Sequence, residues 1–572
     1  MATVHITING REIAAQAGQT ILEAAREAGI DIPTLCEHPQ LEPIGACRMC
    51  LVEIEKQRNL QPACTFRISE GMVINTESEK VVETRKFVLE LLFSERNHYC
   101  MYCQMSGDCE LQNLGYRYGL DSWQYPRPYT PLPVDATRQY FVMDHNRCIL
   151  CRRCIRTCQE LVGNFTLGLG GRGANSLIVA DMNVPFGNSS CISCGTCLQV
   201  CPTGALMDRH SAYRGREVEV DRADSTCAAC SVGCSVELIT RDNQLLRIEG
   251  KWDVGVNNGI LCVAGRFDPM METRRRLFTP MVRDNGELRP ATWDEALDVA
   301  AKKLSALGGD SVAAIASPRA TTEALQAFVE LFTAMGVKNV GNLTPVPEFL
   351  TEAEGSLASL DEADLYLVVG ANLDADHRVA GISVRRGVMN RGAYLVLVDG
   401  AASEIADMAR YKFGAADIQD AIDLAQGAEA PVVIYGTGAG ALLPTLREAL
   451  AGKAQFLGLV PGTNARGALS AGVNGASADG SKGVYVLAAD DTVDGAFLAQ
   501  IENAEFVVAQ TSYRDALAER ADVVLPTTIW AEKSGSFTNT EGLTQALVAA
   551  LKPPMSVKDD VETLSVLKEK LG

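Results

Sequence analysis

Every cysteine of this 572-residue chain lies before residue 263, and the 19 of them fall into four groups. Cys36, Cys47, Cys50 and Cys64 come first, with ten, two and thirteen residues between successive members. Cys100, Cys103 and Cys109 follow, then eight from Cys148 to Cys201, then Cys227, Cys230, Cys234 and Cys262. Thiolates at two- and three-residue spacings are the ligands of iron–sulfur clusters, whose chemistry is the one-electron step. Disulfides are the other common use of many cysteines, but they belong to small secreted chains and rarely to CxxCxxC runs. A chain that gives all its thiolates to clusters conducts electrons.

Cys148, Cys151, Cys154, Cys158 and Cys191, Cys194, Cys197, Cys201 are two copies of C-x₂-C-x₂-C-x₃-C, the second followed by Pro202. In the bacterial ferredoxin form of this run the fourth cysteine crosses to the other cluster. One [4Fe–4S] set is therefore Cys148, Cys151, Cys154 and Cys201, and the other is Cys191, Cys194, Cys197 and Cys158. The first group offers four thiolates for a [2Fe–2S] cluster, with zinc or free thiols as the alternative. The segment NHYCMYCQMSGDCELQ has three cysteines, so a [4Fe–4S] cluster there needs a fourth ligand. His98, two residues before Cys100, is the available imidazole; the alternative is a surface histidine beside a cluster held otherwise. Cys227, Cys230, Cys234 and Cys262 suit a further [4Fe–4S] cluster or zinc.

Several kinds of element must hold these ligands. Alternating Val4, Ile6 and Ile8 run into Asn9-Gly10, a type I′ hairpin signal. Thr20 and Glu23 form a capping-box pattern, and Gly29 stops the helix between them. A second amphipathic helix is predicted over Val81 to Glu95, with Val81, Val88, Leu91 and Leu92 on its buried side. From about Asp144 to Asp208 the chain is organised around cysteines rather than a large core. After Thr273 come apolar strands at Leu365–Val369, Tyr394–Val398, Val432–Tyr435, Val484–Leu487, Phe506–Ala509 and Val523–Leu525. They alternate with alanine-rich helices, one capped by Thr292 and Glu295, which implies a parallel sheet covered on both faces. The run from Gly462 to Gly483 reads as a surface loop. Gly436, Gly438 and Gly440 follow a strand, but without GxGxxG spacing they predict a tight strand-to-helix turn and no dinucleotide site. The net charge of −19 argues against nucleic acid or an anionic membrane surface as partner. No apolar run reaches membrane-span length and no secretion signal opens the chain, so a cytoplasmic protein without direct membrane insertion is expected.

The first cysteine group resembles the N-terminal domain of complex I large iron–sulfur subunits and of their hydrogenase and formate dehydrogenase relatives. Several of those proteins use His plus three Cys for the next cluster. In complex I that histidine stands four residues before the first cysteine, where this chain has Arg96, which cannot ligate iron. The NH-x-C spelling is closer to the electron-transfer subunit of NAD-reducing [NiFe] hydrogenases. The segments CAACSVGCSVEL and GILCVAGRF, with TWDEAL and ADVVLPTTIWAEKSGSFTNTEG further on, resemble molybdopterin oxidoreductases. The resemblance implies a multidomain chain of five parts. They are a β-grasp [2Fe–2S] ferredoxin domain at 1–78, a His/Cys₃ [4Fe–4S] domain at 79–136 and a two-cluster ferredoxin domain at 137–217. A [4Fe–4S] domain of molybdopterin oxidoreductase type at 218–272 and an α/β molybdopterin oxidoreductase-like domain at 273–572 complete them. Around GNLTPVPEF there is no cysteine or histidine to bind the metal, and the chain stops soon after TNTEG, where that family's last cofactor-binding domain would begin. A degenerate scaffold without the molybdopterin site is expected.

These likenesses imply an electron-relay subunit of a soluble NAD(P)-linked complex, with one [2Fe–2S] and four [4Fe–4S] clusters, no flavin and no substrate-converting site of its own. Its partners would be a flavin-containing NAD(P)H-binding subunit, a small [2Fe–2S] subunit and a separate catalytic subunit. A soluble ferredoxin is a further exchange partner, and electron bifurcation an option. Complex I keeps one cluster in the ferredoxin-like region, so the complete eight-cysteine set favours a [NiFe] hydrogenase as the catalyst. Alternatives are an NAD-linked formate dehydrogenase, a complex I-like NADH dehydrogenase, or a molybdenum or tungsten catalytic subunit.

Overall fold

The computed structural model describes residues 2–125, 131–400, 404–475 and 477–571. They form two compact units, Met1–Val220 and Asp221–Gly572. No helix among the described residues is long and apolar enough to cross a membrane.

The first unit opens with strands β1 (Thr3–Ile8) and β2 (Arg11–Gln16), joined through Asn9 and Gly10 at φ of 51° and 78°. Positive φ at both turn residues is what a type I′ hairpin needs, and only residues such as Asn and Gly adopt it cheaply. Helix α1 (Ile21–Glu27) begins at a full capping box between Thr20 and Glu23. It packs Ile21, Leu22, Ala24 and Ala25 against a mixed sheet of order β2-β1-β5-β3-β4, where β3 is Leu51–Ile54, β4 Gln61–Pro62 and β5 Val73–Asn75. This is a β-grasp arrangement.

Helix α2 (Glu79–Glu95) follows, but its buried side differs from the sequence expectation. Val81, Arg85, Leu89 and Phe93 face inward at four-residue spacing, while Val88 and Leu92 are half-buried and Leu91 is exposed. The apolar pattern misled because one of the four inward positions is an arginine. Arg85 is fully buried and donates to the carbonyls of Met49 and Leu51 at 3.0 and 2.9 Å and to the Tyr118 hydroxyl at 2.9 Å. Leu89 and Phe93 of α2 share a core with Leu35, Cys36, Leu111, Ile149 and Cys151. Residues of the first three ligand-bearing segments therefore meet in one apolar cluster.

The second unit starts with an antiparallel sheet of Asp221–Thr226, Ser235–Arg241 and Gln244–Gly250. Its core is continuous with that of the following α/β segment: Val236, Leu238 and Ile248 pack with Tyr366, Leu373 and Trp530. The α/β segment contains two sheets. One has seven strands, five of them parallel in the order Val523–Pro526, Phe506–Thr511, Gly483–Ala489, Val312–Ala316, Asn339–Asn342, with a Met281–Asp284/Glu287–Pro290 hairpin at the edge. The other is all parallel, in the order Tyr411–Phe413, Tyr394–Val398, Leu365–Val369, Pro431–Tyr435, Gln455–Gly458. In the seven-stranded sheet Ala314, Tyr485 and Leu487 bury one face and Ala313, Ile315, Val484 and Val486 the other, as two-sided burial requires. The stretch from Gly462 to Gly483 is not merely a loop. It contains the helix Ala465–Ser470, whose first four residues are buried, and residue 476 lies outside the described residues. The glycines after Pro431–Tyr435 form a tight turn: a Cβ on Gly436 would come within 2.7 Å of the Gly370 carbonyl oxygen.

Candidate iron–sulfur centres

Cys36, Cys47 and Cys50 stand on the connection between α1 and β3, and Cys64 lies just beyond β4. They form two sulfur pairs. The Cys47 amide donates to Cys36 Sγ at 3.4 Å, and the sulfurs of Cys50 and Cys64 are 3.4 Å apart. A hydrogen bond from the Cys47 thiol, helped by the Cys47 and Ala46 amides, overrides burial and lowers the Cys36 thiol to about 6. Beside this set, His38 is pushed down to about 4 by burial, with Arg153 and Arg156 adding to the effect.

His98, Cys100, Cys103 and Cys109 line one small cavity of about 20 Å³ together with Phe93, Met105 and Gln112. His98 is buried and its ring meets Phe93 edge-on at 5.5 Å. Arg96 is also buried and its Nη2 donates to the Ser176 carbonyl at 2.9 Å. It lies near Cys148, whose thiol is pushed up to about 11 by burial with Arg96 among the groups opposing that rise.

The doubled run folds as a doubled structure. Helix Arg153–Arg156 and helix Thr196–Gln199 carry Cys154 and Cys197. Leu150 and Ser193, each two residues past the first cysteine of its copy, have φ of 53° and 55°. Arg152 and Gly195, each following the second cysteine, have φ of 60° and 71°. Left-handed backbone is costly for Leu and Arg, and it persists where the surroundings demand it. Here it turns the Leu150 and Ser193 amides toward the sulfurs of Cys148 and Cys191, both at 3.4 Å. Burial raises the thiols of Cys148, Cys151, Cys154, Cys158 and Cys197; Cys201 acts on Cys148, Cys151, Cys154 and Cys197, and Cys158 has Cys191 and Cys194 as charged neighbours.

In the second unit, Cys227, Cys230 and Cys234 occupy the loop between Asp221–Thr226 and Ser235–Arg241, and Cys262 precedes the short helix Val263–Arg266. Burial raises all four thiols, and Cys262 acts on the other three. The α/β segment fixes this loop through side chains that sequence inspection did not single out. Arg319 Nη1 and Thr463 Oγ1 donate to the Ala228 carbonyl at 2.6 and 2.8 Å. Ser231 Oγ lies 2.8 Å from His377 Nε2 and donates to the Val460 carbonyl at 2.7 Å. Burial lowers His377, so its imidazole is held neutral.

Among the described residues, no three His, Cys, Asp or Glu side chains close to single-ion spacing.

Two cavities adjoin the Cys227–Cys262 set. One, of about 390 Å³, is lined by Cys230, Gly370, Asp376, His377, Gly436 and Gly462 at the C-terminal ends of Leu365–Val369 and Pro431–Tyr435. The other, of about 340 Å³, opens on Cys227 at the ends of Val312–Ala316 and Gly483–Ala489. Both lie where strand order reverses, the usual crevice of an open α/β sheet. Asp268, Glu272, Asp490 and Asp491 line the second one, and Arg319 forms a two-point ion pair with Asp490 at 2.9 and 3.0 Å across it. Burial alone would raise Asp490, but the Arg319 guanidinium holds its carboxyl well below the usual range.

Comparison with known protein families covers almost the whole chain. Residues 1–79 match a 2Fe-2S iron-sulfur cluster binding domain, 85–122 the NADH-ubiquinone oxidoreductase-G iron-sulfur binding region, and 139–207 the ferredoxin-like domain of NADH-quinone oxidoreductase subunit 3. Residues 221–270 match the molybdopterin oxidoreductase Fe4S4 domain, and 276–439 with 447–570 the molybdopterin oxidoreductase family. Among similar proteins, an NADH-quinone oxidoreductase subunit of Rhizobium meliloti is 30% identical over 98% of this chain and 78% of its own length. NADH-quinone oxidoreductase subunit 3 of Thermus thermophilus is 29% identical over 100% and 83%. The NADPH-Fe(3+) oxidoreductase subunit alpha of Geobacter sulfurreducens is 27% identical over 99% and 81%. Among solved structures, a chain of an NAD+-reducing [NiFe]-hydrogenase is 34% identical over 37% of this chain and 91% of its own, at a TM-score of 0.36.

Proposed function

The chain belongs to the large iron–sulfur subunits of complex I-type oxidoreductases, and we propose that it relays single electrons between a flavin-bearing NAD(P)H subunit and a separate catalytic subunit. The observation that carries this is the doubled run, whose two copies repeat the same left-handed turns and the same amide-to-sulfur contacts at Cys148 and Cys191; the crossed ligand sets are part of the proposal. Cys36, Cys47, Cys50 and Cys64 would hold a [2Fe–2S] cluster, since two sulfur pairs suit two irons. His98, Cys100, Cys103 and Cys109 would hold a [4Fe–4S] cluster, as would the two crossed sets and Cys227, Cys230, Cys234 and Cys262. When bound, such clusters accept and release one electron at a time over a wide range of potentials. The protein's part is to hold the thiolates in place, exclude water and set the local charge. Neutral His98 in place of a thiolate removes one negative charge and raises the potential there.

A molybdenum cofactor does not fit. His377, the imidazole beside the first cavity, already has Nε2 against Ser231 and Val460. The second cavity is lined by the Glu272–Arg274 and Asp490–Arg319 pairs together with Asp268 and Asp491, unmatched among the described residues, a net negative lining that opposes a cofactor's phosphates. The α/β segment serves packing and docking.

A small [2Fe–2S] subunit and a soluble ferredoxin complete the proposed partners, in the cytoplasm. For the terminal catalyst we retain a [NiFe] hydrogenase, on the spacing Asn97-His98-Tyr99-Cys100. Full-length likeness to NADH-quinone oxidoreductase subunits supports a complex I-like partner equally. Assays of the intact complex for hydrogen-, formate- and quinone-linked NAD(P)H turnover separate these. Turnover with quinone or formate and none with hydrogen would rule the hydrogenase out.

A further inference from the structure

The helix carrying Cys154 and Cys158 reaches beyond its own clusters. It runs from Arg153 to Arg156 and continues as a wider turn over Thr157–Leu161. Arg156 is buried, at 6% exposure, and points into the first ligand loop. Its Nη1 donates to the Glu42 carbonyl and its Nη2 to the carbonyl of Cys36. One turn on, Glu160 Oε2 accepts from the Glu42 amide at 3.0 Å. The Cys36–Glu42 loop is thus held at three backbone groups by a helix of the neighbouring module.

Arg153 on the same helix makes an instructive contrast. It is also buried, but it pairs bidentately with Glu110, beside Cys109, at 2.6 and 2.9 Å. A carboxylate balances that charge, so Arg153 acts as a mechanical pin. Both Nη groups of Arg156 rest on neutral carbonyls, which leave its positive charge in place. The Nε–H of Arg156 is also buried and meets no hydrogen-bond acceptor among the described residues. Poorly solvated charge acts strongly on its neighbours, and the Cys36 carbonyl that Arg156 Nη2 holds places that charge beside the Cys36 ligand position.

We propose that Arg156 is a positioning residue for the neighbouring centre, holding the Cys36 loop and raising the midpoint potential of the cluster at Cys36, Cys47, Cys50 and Cys64. The potential of one relay centre is then set by a cation carried on the ligand helix of the next. This rests on those four cysteines being the [2Fe–2S] ligands, so wild-type protein without a two-iron signal would overturn the ligand assignment itself. The test is a redox titration of full-length, anaerobically prepared protein, read by electron paramagnetic resonance of the two-iron centre, with iron content measured alongside.

Arg156→Met should keep the wild-type iron content. At fixed ambient potential it should show a reduced two-iron fraction about tenfold smaller relative to the oxidised form, equal to about 59 mV for a one-electron couple. Arg156→Lys, which keeps the charge, should titrate close to wild type. Should Arg156→Met lose iron, Arg156→Gln, which keeps an amide donor for the Cys36 carbonyl, carries the same expectation. A wild-type potential in the neutral variant with full iron would overturn the proposal. So would a lysine variant shifted as far as the neutral one, because charge would then not be the cause.

Discussion

Single side chains decide more here than composition suggests, and His98 is the first. It lines the cavity of Cys100, Cys103 and Cys109. His98→Cys should retain the cluster at a lower potential and His98→Ala should make it labile, as redox titration and iron release would show. Unchanged iron retention in His98→Ala would remove His98 from the ligand set. Arg85 is the second. Arg85→Met strands two backbone carbonyls and a tyrosine hydroxyl, so it should cost at least about 3 kcal/mol in denaturant unfolding, since each buried unsatisfied group costs about 1–3. Asp490 gives a pH signature. Its pKa is depressed in the folded state, so its contribution is present above the unfolded value near 3.8 and is lost as pH falls below it. Asp490→Asn should therefore flatten the acid limb of unfolding below about pH 4, and an unchanged limb would contradict the ion-pair account. The cysteines were legible from spacing alone, because ligand runs are local. Arg85, Arg153, Arg156 and Arg319 were not, since a buried arginine is justified only by carbonyls and carboxylates brought from distant segments.

Elements show the same division between local and distant causes. The Asn9-Gly10 turn, the Thr20–Glu23 capping box and the Thr292 cap were readable because turn and cap chemistry lies within a few residues. The strands Leu365–Val369 and Tyr394–Val398 have the limits their apolar runs suggest. Val312–Ala316, rich in alanine, and the short Tyr411–Phe413 and Gln455–Gly458 gave too weak a signal, although the first is an interior strand paired on both sides. Thr20→Ala should cost about 1 kcal/mol, the usual value of a lost N-cap. Gly370→Ala should be worse. Gly370 has φ of 57°, and a Cβ there would collide with the backbone of Gly438. Thermal unfolding of both variants checks the order.

At the scale of the whole molecule, the proposed ligand sets would hold one two-iron and four four-iron centres, about 18 irons in fully loaded protein. Fewer than about 14 would mean that a set is misassigned, and stoichiometric molybdenum, tungsten or pterin would overturn the degenerate-scaffold proposal. The domain order was legible because each module carries its own cysteine signature. The merging of the Cys227–Cys262 sheet with the α/β core was not, because it depends on long-range packing such as that of Trp530, whose Nε1 donates to the Thr226 carbonyl at 2.9 Å. The relay itself is tested most directly by following cluster reduction in the anaerobic protein with NADH, before and after adding the flavoprotein subunit of the same complex. The clusters should accept electrons from dithionite at once, stay oxidised with NADH alone, and become reduced by NADH only after the flavoprotein is present and its flavin has been reduced. Rapid reduction by NADH without any flavoprotein would contradict the relay.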